Sequence, residues 1–306
     1  MPSFTELGKK IYDMNNPREV RRMMVFVVRC WLNRGRMRHL FAFFAQDELL
    51  RSVAAVYPFV YEQPTRAFFY NRSTFDERAR LVEQHMDFLA AHFRPEVVLR
   101  LYREENIPLW QADCEGQPLV LSLYFEAGQR KEGMLSAMLR LDGQPLYQMI
   151  FWIAKNPAGE WSMWIGAMQG PNMEHAREVV KKITKQCHAY RTKNLILYMT
   201  QAVARALGLQ HIYAVTNYGY YANNHLRTNR KLKTSFSDFW QEAGGQTTAD
   251  RRFDALPLTE PRKTMEEVPT RKRAVYRRRF ALLDEIDAAI AARMGSLLRG
   301  IGVSEQ

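Results

Sequence analysis

Two short stretches of this sequence carry residue types that bind anions. The first is Gln169-Gly170-Pro171-Asn172, a tight turn closing an apolar segment. Glycine there lets the backbone approach a ligand closely. The second is Arg191-Thr192-Lys193, at the start of a long apolar-periodic helix. A helix start leaves N–H groups unpaired, and its dipole adds about half a positive charge. With two cations beside it, such a start suits a phosphate or carboxylate. Either turn is expected to take the pyrophosphate of a nucleotide-like cofactor; the plainer alternative is a structural turn and two ordinary loop cations.

Proton chemistry falls to His188, just before the basic break, and to Asp238. Asn217, Tyr220, Arg230 and Trp240 complete the expected ligand-binding set. Cys187 lies on an apolar stripe and reads as a buried structural thiol. The aromatic and basic stretch 218–240 could stack on bases. It carries no signature of an RNA-recognition domain, helix-turn-helix or zinc finger, so core or lid residues are expected and nucleic acid is disfavoured. Walker, GxGxxG and GxSxG motifs are absent, and no His, Asp or Glu spacing suggests a metal.

These residues need elements to hold them. Residues 160–217 read as strand, Gly-Pro turn, helix, basic break, helix, strand. Ala176, Val180, Ile183 and Cys187 make the first helical stripe. Leu195, Met199, Val203, Ala206 and Leu207 make the second, and Gly208 ends it as a C-cap. Before them, alternation puts Leu119, Leu121, Leu123 and Phe125 on one face, and Leu135, Ala137, Leu139 and Leu141 on one face of the next strand. Asp142-Gly143 signals a hairpin, and 146–154 is apolar on both faces like a central strand. This predicts an antiparallel meander of about four strands, with a short one possible at 109–114. DRRFDALPL is a candidate last strand.

Residues 1 to about 105 read as helical. Asn16-Pro17 starts a helix in which Val20, Met24, Val27 and Trp31 recur at helical spacing, with Arg18, Arg21, Arg22 and Arg29 largely off that stripe. A basic amphipathic helix can lie on an anionic membrane; the expectation is a packed helix with a solvated basic face. Thr74 and Glu77 form a capping box. His85 and His92 read as structural. Past residue 260 the chain is strongly basic through Arg271, Lys272, Arg273, Arg277, Arg278 and Arg279, then ends in an amphipathic helix.

The chain has 306 residues and a net charge of +12, with a pI near 9.7. Such a charge suits an anionic partner. Three separated cysteines, Cys30, Cys114 and Cys187, give neither a disulfide framework nor a zinc site. Without a signal-like start or an apolar run of about 18 residues, a reduced, cytoplasmic location is expected, including the inner face of the membrane.

Several ordered motifs resemble the bacterial VirK/YbjX family, also described as domain of unknown function 535. They are the IGAMQGP turn, Thr184, the His188-Ala-Tyr-Arg-Thr-Lys193 break, ALGLQHIYAVTN, SDFWQEAGG and LPLTEPRKTMEEVPTRKRAVYRRRF. The break usually reads His-Gly-Leu-Arg-Pro-Lys in that family. The resemblance implies a Gram-negative bacterial protein linked to virulence, envelope integrity and resistance to antimicrobial peptides. Separately, the order of elements resembles the GNAT acyltransferase architecture, without its Gln/Arg-x-x-Gly-x-Gly/Ala turn.

The reading is therefore an α+β protein. A helical region covers 1–105, a GNAT-like sheet with flanking helices covers 106–260, and a basic segment with a helix covers 261–306. The expected function is envelope or lipid A adaptation, with acyl transfer from an acyl-CoA or acyl carrier protein. Anionic lipid or a lipid A precursor is the expected partner. The competing function is non-catalytic binding of anionic lipid or an envelope-biogenesis partner.

Overall fold

The computed structural model describes residues 3–223 and 235–300. Six helices come first: α1 (Phe4–Ile11), α2 (Pro17–Leu32), α3 (Arg34–Ala45), α4 (Glu48–Val56), α5 (Phe75–His92) and α6 (Pro95–Tyr102). Their starts are written locally. Ser3 and Thr74 close capping boxes with Glu6 and Glu77, and Asn16 caps α2 ahead of Pro17. The apolar segment 39–60 is split at Asp47, whose side chain accepts the Leu50 N–H and starts α4.

The sheet follows: β1 (Ile107–Cys114), β2 (Gln117–Tyr124), β3 (Leu135–Leu141), β4 (Gln144–Lys155) and β5 (Trp161–Gln169). After it come α7 (Ala176–Gln186), α8 (Thr192–Ala206), β6 (His211–Val215), α9 (Phe236–Glu242), β7 (Gln246–Thr247), β8 (Phe253–Leu256) and α10 (Arg273–Leu297). Among the described residues the strand order is β1-β2-β3-β4-β5-β6-β8-β7, eight strands in one sheet. β1 to β5 form the antiparallel meander, with the short strand expected at 109–114 realised as β1. Asp142 and Gly143 both take positive φ, as a two-residue hairpin turn of this hand requires.

Helix α8 lies on β3 and β4, and α10 covers α8. Hence α8 is buried almost all round rather than along the single stripe expected from its periodicity. The end of α10 is tied to the first region, where the Arg94 N–H donates to Leu297 O at 3.1 Å and the Arg299 side chain donates to Phe93 O at 2.9 Å.

Helix α2 differs from expectation. Its buried residues are Met23, Phe26 and Cys30; Met24 and Trp31, placed on the inner stripe by spacing, are 54% and 61% exposed. The run Met23-Met24-Val25-Phe26-Val27-Val28 is apolar all round the helix. Periodicity therefore cannot select a face, and packing against α1 selects it instead.

β4 outruns its partner β3, whose pairing ends at Leu135 and Phe151. Two of the amides beyond that point are met by α5: the Ile153 N–H donates to His85 Nδ1 at 3.0 Å and the Lys155 N–H to Gln84 Oε1 at 3.0 Å. A buried amide must find a partner somewhere. This is the structural role of His85, and burial pushes its imidazole down to about 3.

Candidate functional site

β5 and β6 are the parallel pair of the sheet, and they pair only over Ser162–Ile165 and His211–Ala214. At Gly166 the β4–β5 register slips between Ile150 and Phe151, a bulge that re-aims the strand. A Cβ on Gly166 would lie 1.8 Å from the backbone oxygen of Glu132, so only glycine fits there. The loop carrying Glu132 thus lies directly on the point where the two strands part.

Glu132 gathers residues far apart in sequence. Its side chain accepts a hydrogen bond from Gln169 Nε2 at 2.9 Å, at the end of β5. Its other oxygen accepts from the Tyr220 hydroxyl at 2.6 Å, just past β6. Burial, then the Glu132 charge, hold the Tyr220 phenol well above its ordinary value, so Tyr220 keeps its proton. Glu132 itself is 8% exposed. A carboxylate offers about four lone-pair positions, and two donors leave room for a third partner.

The first helical region holds this loop in place. Glu62, 1% exposed, accepts from the Tyr12 hydroxyl at 2.5 Å and from Arg130 Nε at 2.7 Å. The Arg130 guanidinium also sits 4.1 Å over the Phe59 ring. Residues 69–71 bridge the two sides of the fork. The Phe69 N–H donates to Lys131 O, and the Asn71 N–H to Gly219 O, each at 2.8 Å. Phe69 takes φ 67°, costly for a bulky residue, and is fully buried against Trp152. Such strain persists only where the surroundings over-determine it, and it gathers at functional sites.

From Tyr220 a row of rings leads to the second expected anion site. Tyr220 meets Phe236 at 5.5 Å, Phe236 meets Trp240, and Trp240 meets Phe239, over which Lys193 Nζ lies at 4.6 Å. Trp240 is buried and donates its indole N–H to Val215 O at 2.8 Å. Lys193 and Arg191 share one carboxylate, Glu242, at 3.1 and 3.3 Å. Arg191 is the N-cap residue of α8 and makes no side-chain cap bond.

The other expected residues are placed as follows. Asn217 holds the start of α9: its Oδ1 accepts the Phe236 N–H at 2.7 Å and its Nδ2 donates to Ser235 Oγ at 2.9 Å. Gly170 has ordinary space around it, with the Tyr147 ring 3.4 Å from a built Cβ; the position that demands glycine is Gly166. His188 is half-buried at φ 54°, and its carbonyl accepts two bonds from Arg279. Burial, then Arg278 and Arg279, lower its imidazole pKa. Asp238 is exposed in the first turn of α9. Arg230 lies outside the described residues. Among those described, no cluster of His, Cys, Asp or Glu could hold a metal ion.

Glu132 was not visible to sequence reasoning. It sits in a charged loop, Gln129-Arg130-Lys131-Glu132-Gly133, without a motif, and its partners are 37 and 88 residues away. The one signal was indirect: Gly133 and Gly166 both stand where a side chain would strike backbone.

Comparison with known proteins adds a family. Over 188 residues the chain is 30% identical to the uncharacterized protein YbjX of Escherichia coli, covering 60% of this chain and 55% of YbjX. The match thus spans about half of that relative's length. An uncharacterized protein of Haemophilus influenzae is 24% identical over 273 residues, 88% of this chain and 87% of its own. The membrane protein LapB of Mannheimia haemolytica is 24% identical over 192 residues, 61% of this chain and 80% of LapB. No solved structure matches. The model of a protein family of unknown function, DUF535, matches residues 15–292, and the chain belongs to that family.

Proposed function

We propose that this chain acts in envelope or lipid A adaptation as an acyl-transfer protein, with its acyl carrier seated at the β5–β6 fork. The observation that carries this reading is the fork itself: a parallel pair that parts at Gly166 beside a buried, doubly hydrogen-bonded Glu132. The GNAT-like order of a meander followed by a parallel strand supports it at the level of fold. The link to envelope, virulence and peptide resistance rests on the family resemblance, and the similarity to the membrane protein LapB supports a membrane setting alone.

In such a reaction the acceptor's nucleophile attacks the thioester carbonyl, its proton passes to a base, and the carrier thiolate leaves. The enzyme's task is to position the two partners and to take the proton. Glu132 is a base by position: two donors hold it at the fork, at some cost to its basicity, and leave it lone pairs to spare. His188 stands as the alternative, with its imidazole kept neutral. Asp238, exposed on α9, is the weaker choice. Arg191 and Lys193 would exchange Glu242 for the carrier's phosphate.

The test is calorimetric titration with coenzyme A, an acyl-CoA and holo acyl carrier protein. Saturable binding of one of them is expected, weakened at least tenfold by Arg191→Ala with Lys193→Ala. Absence of binding to every phosphorylated carrier would count decisively against the reading. A second reading, non-catalytic binding of anionic lipid, is favoured by the net charge of +12.

A further inference from the structure

The outer side of α2 carries most of the exposed apolar side chains among the described residues. Apart from Val56, every large apolar side chain exposed among the described residues lies on or just before this helix: Met14, Met24, Val25, Val28, Trp31 and Leu32. Leu32 is 79% exposed. Trp31 is held by an edge contact with the Phe4 ring at 5.7 Å, so it projects from a fixed base. A contiguous apolar ridge of this kind on a soluble surface marks an interaction site.

Beside the ridge lies a concavity of about 420 Å³ lined by Arg18, Arg21, Arg22, Val25, Arg29 and Arg66. Val25 belongs to both features. Arg22 pairs with Glu19, Arg29 donates to Thr65 O, and Arg66 reaches Glu62 at 3.5 Å. Glu62 is already shared with Arg130 and Tyr12. Arg18, Arg21 and Arg22 also stand in the first turns of α2, where the helix dipole disfavours cations. Five guanidinium groups around one hollow repel one another unless an anion enters. A local conflict of this sort, compensated only in part by Glu19 and the shared Glu62, is the mark of a functional surface.

We propose that α2 is the docking face for an anionic lipid bilayer, with lipid phosphates entering the arginine hollow and the apolar ridge entering the interface. Guanidinium pairs with phosphate through two parallel hydrogen bonds. Tryptophan and aliphatic side chains favour the headgroup level, and a helix of this length, about 24 Å, lies flat there. No helix among the described residues is long and apolar enough to cross a membrane, so docking is peripheral. This deepens the lipid-binding reading by naming the surface, and it is independent of the fork. It also differs from the basic stretch 271–279, where Arg279 is spent on the carbonyls of His188 and Ala189.

The test is flotation of the full chain with phosphatidylcholine vesicles and with vesicles containing phosphatidylglycerol. Wild-type protein is expected to float only with the second. Arg18→Gln with Arg21→Gln should lower the partition coefficient about thirtyfold, from the usual contribution of a cation at an anionic surface. Val28→Ser with Trp31→Ser should also weaken flotation. A tail variant, Arg271→Gln, Lys272→Gln, Arg277→Gln and Arg278→Gln, should float as wild type. All the substituted residues are exposed, and an unchanged thermal melt verifies folding. Flotation that survives both α2 variants and falls with the tail variant would overturn this surface while leaving lipid binding intact. No flotation with anionic vesicles would overturn both. Sedimentation velocity closes the remaining case, since a dimer dissolved by the Val28 and Trp31 changes would make α2 a self-interface instead.

Discussion

The fork and the outer side of α2 are built in opposite ways. At the fork, the expected ligand-binding side chains that lie in the described residues are engaged internally: Gln169 and Tyr220 on Glu132, Asn217 on α9, Trp240 on Val215 O, Arg191 and Lys193 on Glu242. On α2, cations crowd and apolar side chains face outward. The first, on the proposed function, is a preorganised site, whose parts are fixed before any ligand arrives. The second is an incomplete surface, whose parts make sense once a partner is added. Substitutions should therefore damage the fold at the fork and spare it on α2.

The sharpest contrast lies within the fork. Gly166→Ala sets a methyl group against the Glu132 carbonyl and should destabilise by about 3 kcal/mol, the upper end for overpacking. Gly170→Ala, at the turn singled out by sequence, should stay within about 0.5 kcal/mol. Denaturant unfolding of the two variants checks this, and equal losses would break the assignment of the fork to Gly166. Next comes Tyr220→Phe, which removes one of two donors to a buried carboxylate. A loss of about 1–3 kcal/mol is expected, measured in the same way.

Acidification should act on the scaffold behind the fork. His85 titrates near 3 when folded because it is buried, against 6.5 ordinarily. Between those values the unfolded chain takes a proton that the folded chain refuses. Stability from this group is complete above about 6.5 and falls by about 1.4 kcal/mol per unit as pH drops through the window. His85→Gln, whose amide oxygen can still accept the Ile153 N–H, should flatten that part of the profile. The smallest effect belongs to α2, where Val28→Ser with Trp31→Ser should change stability by no more than about 0.5 kcal/mol per site. A large loss there would mean that the ridge is packed, and would break the comparison from the other side.

The same contrast governs what the sequence could reveal. The Thr74–Glu77 capping box, the Asp142-Gly143 hairpin, the meander and the Gly208 C-cap were legible because each rests on neighbours within a few residues. The choice of buried face on α2 was not, since its central run is apolar in every direction. Nor was Glu132, whose meaning lies in partners on β5 and beyond β6. Arg191 and Lys193 stand out in the sequence as a pair of cations, but their pairing with Glu242 depends on α9, which follows β6 in the chain. Local chemistry can be read in order along a chain. A site assembled at a sheet's parting strands is fixed by topology, and only a glycine with no room for a methyl group betrays it.

The central claim is that the fork, rather than α2, receives a phosphorylated acyl carrier. Hydrogen–deuterium exchange of the full chain with and without saturating coenzyme A tests it most directly. The account predicts slowed exchange in peptides covering 129–134, 166–172, 190–195 and 217–220, with α2 unchanged. Slowed exchange confined to α2, or no change at the fork under saturation, would contradict it.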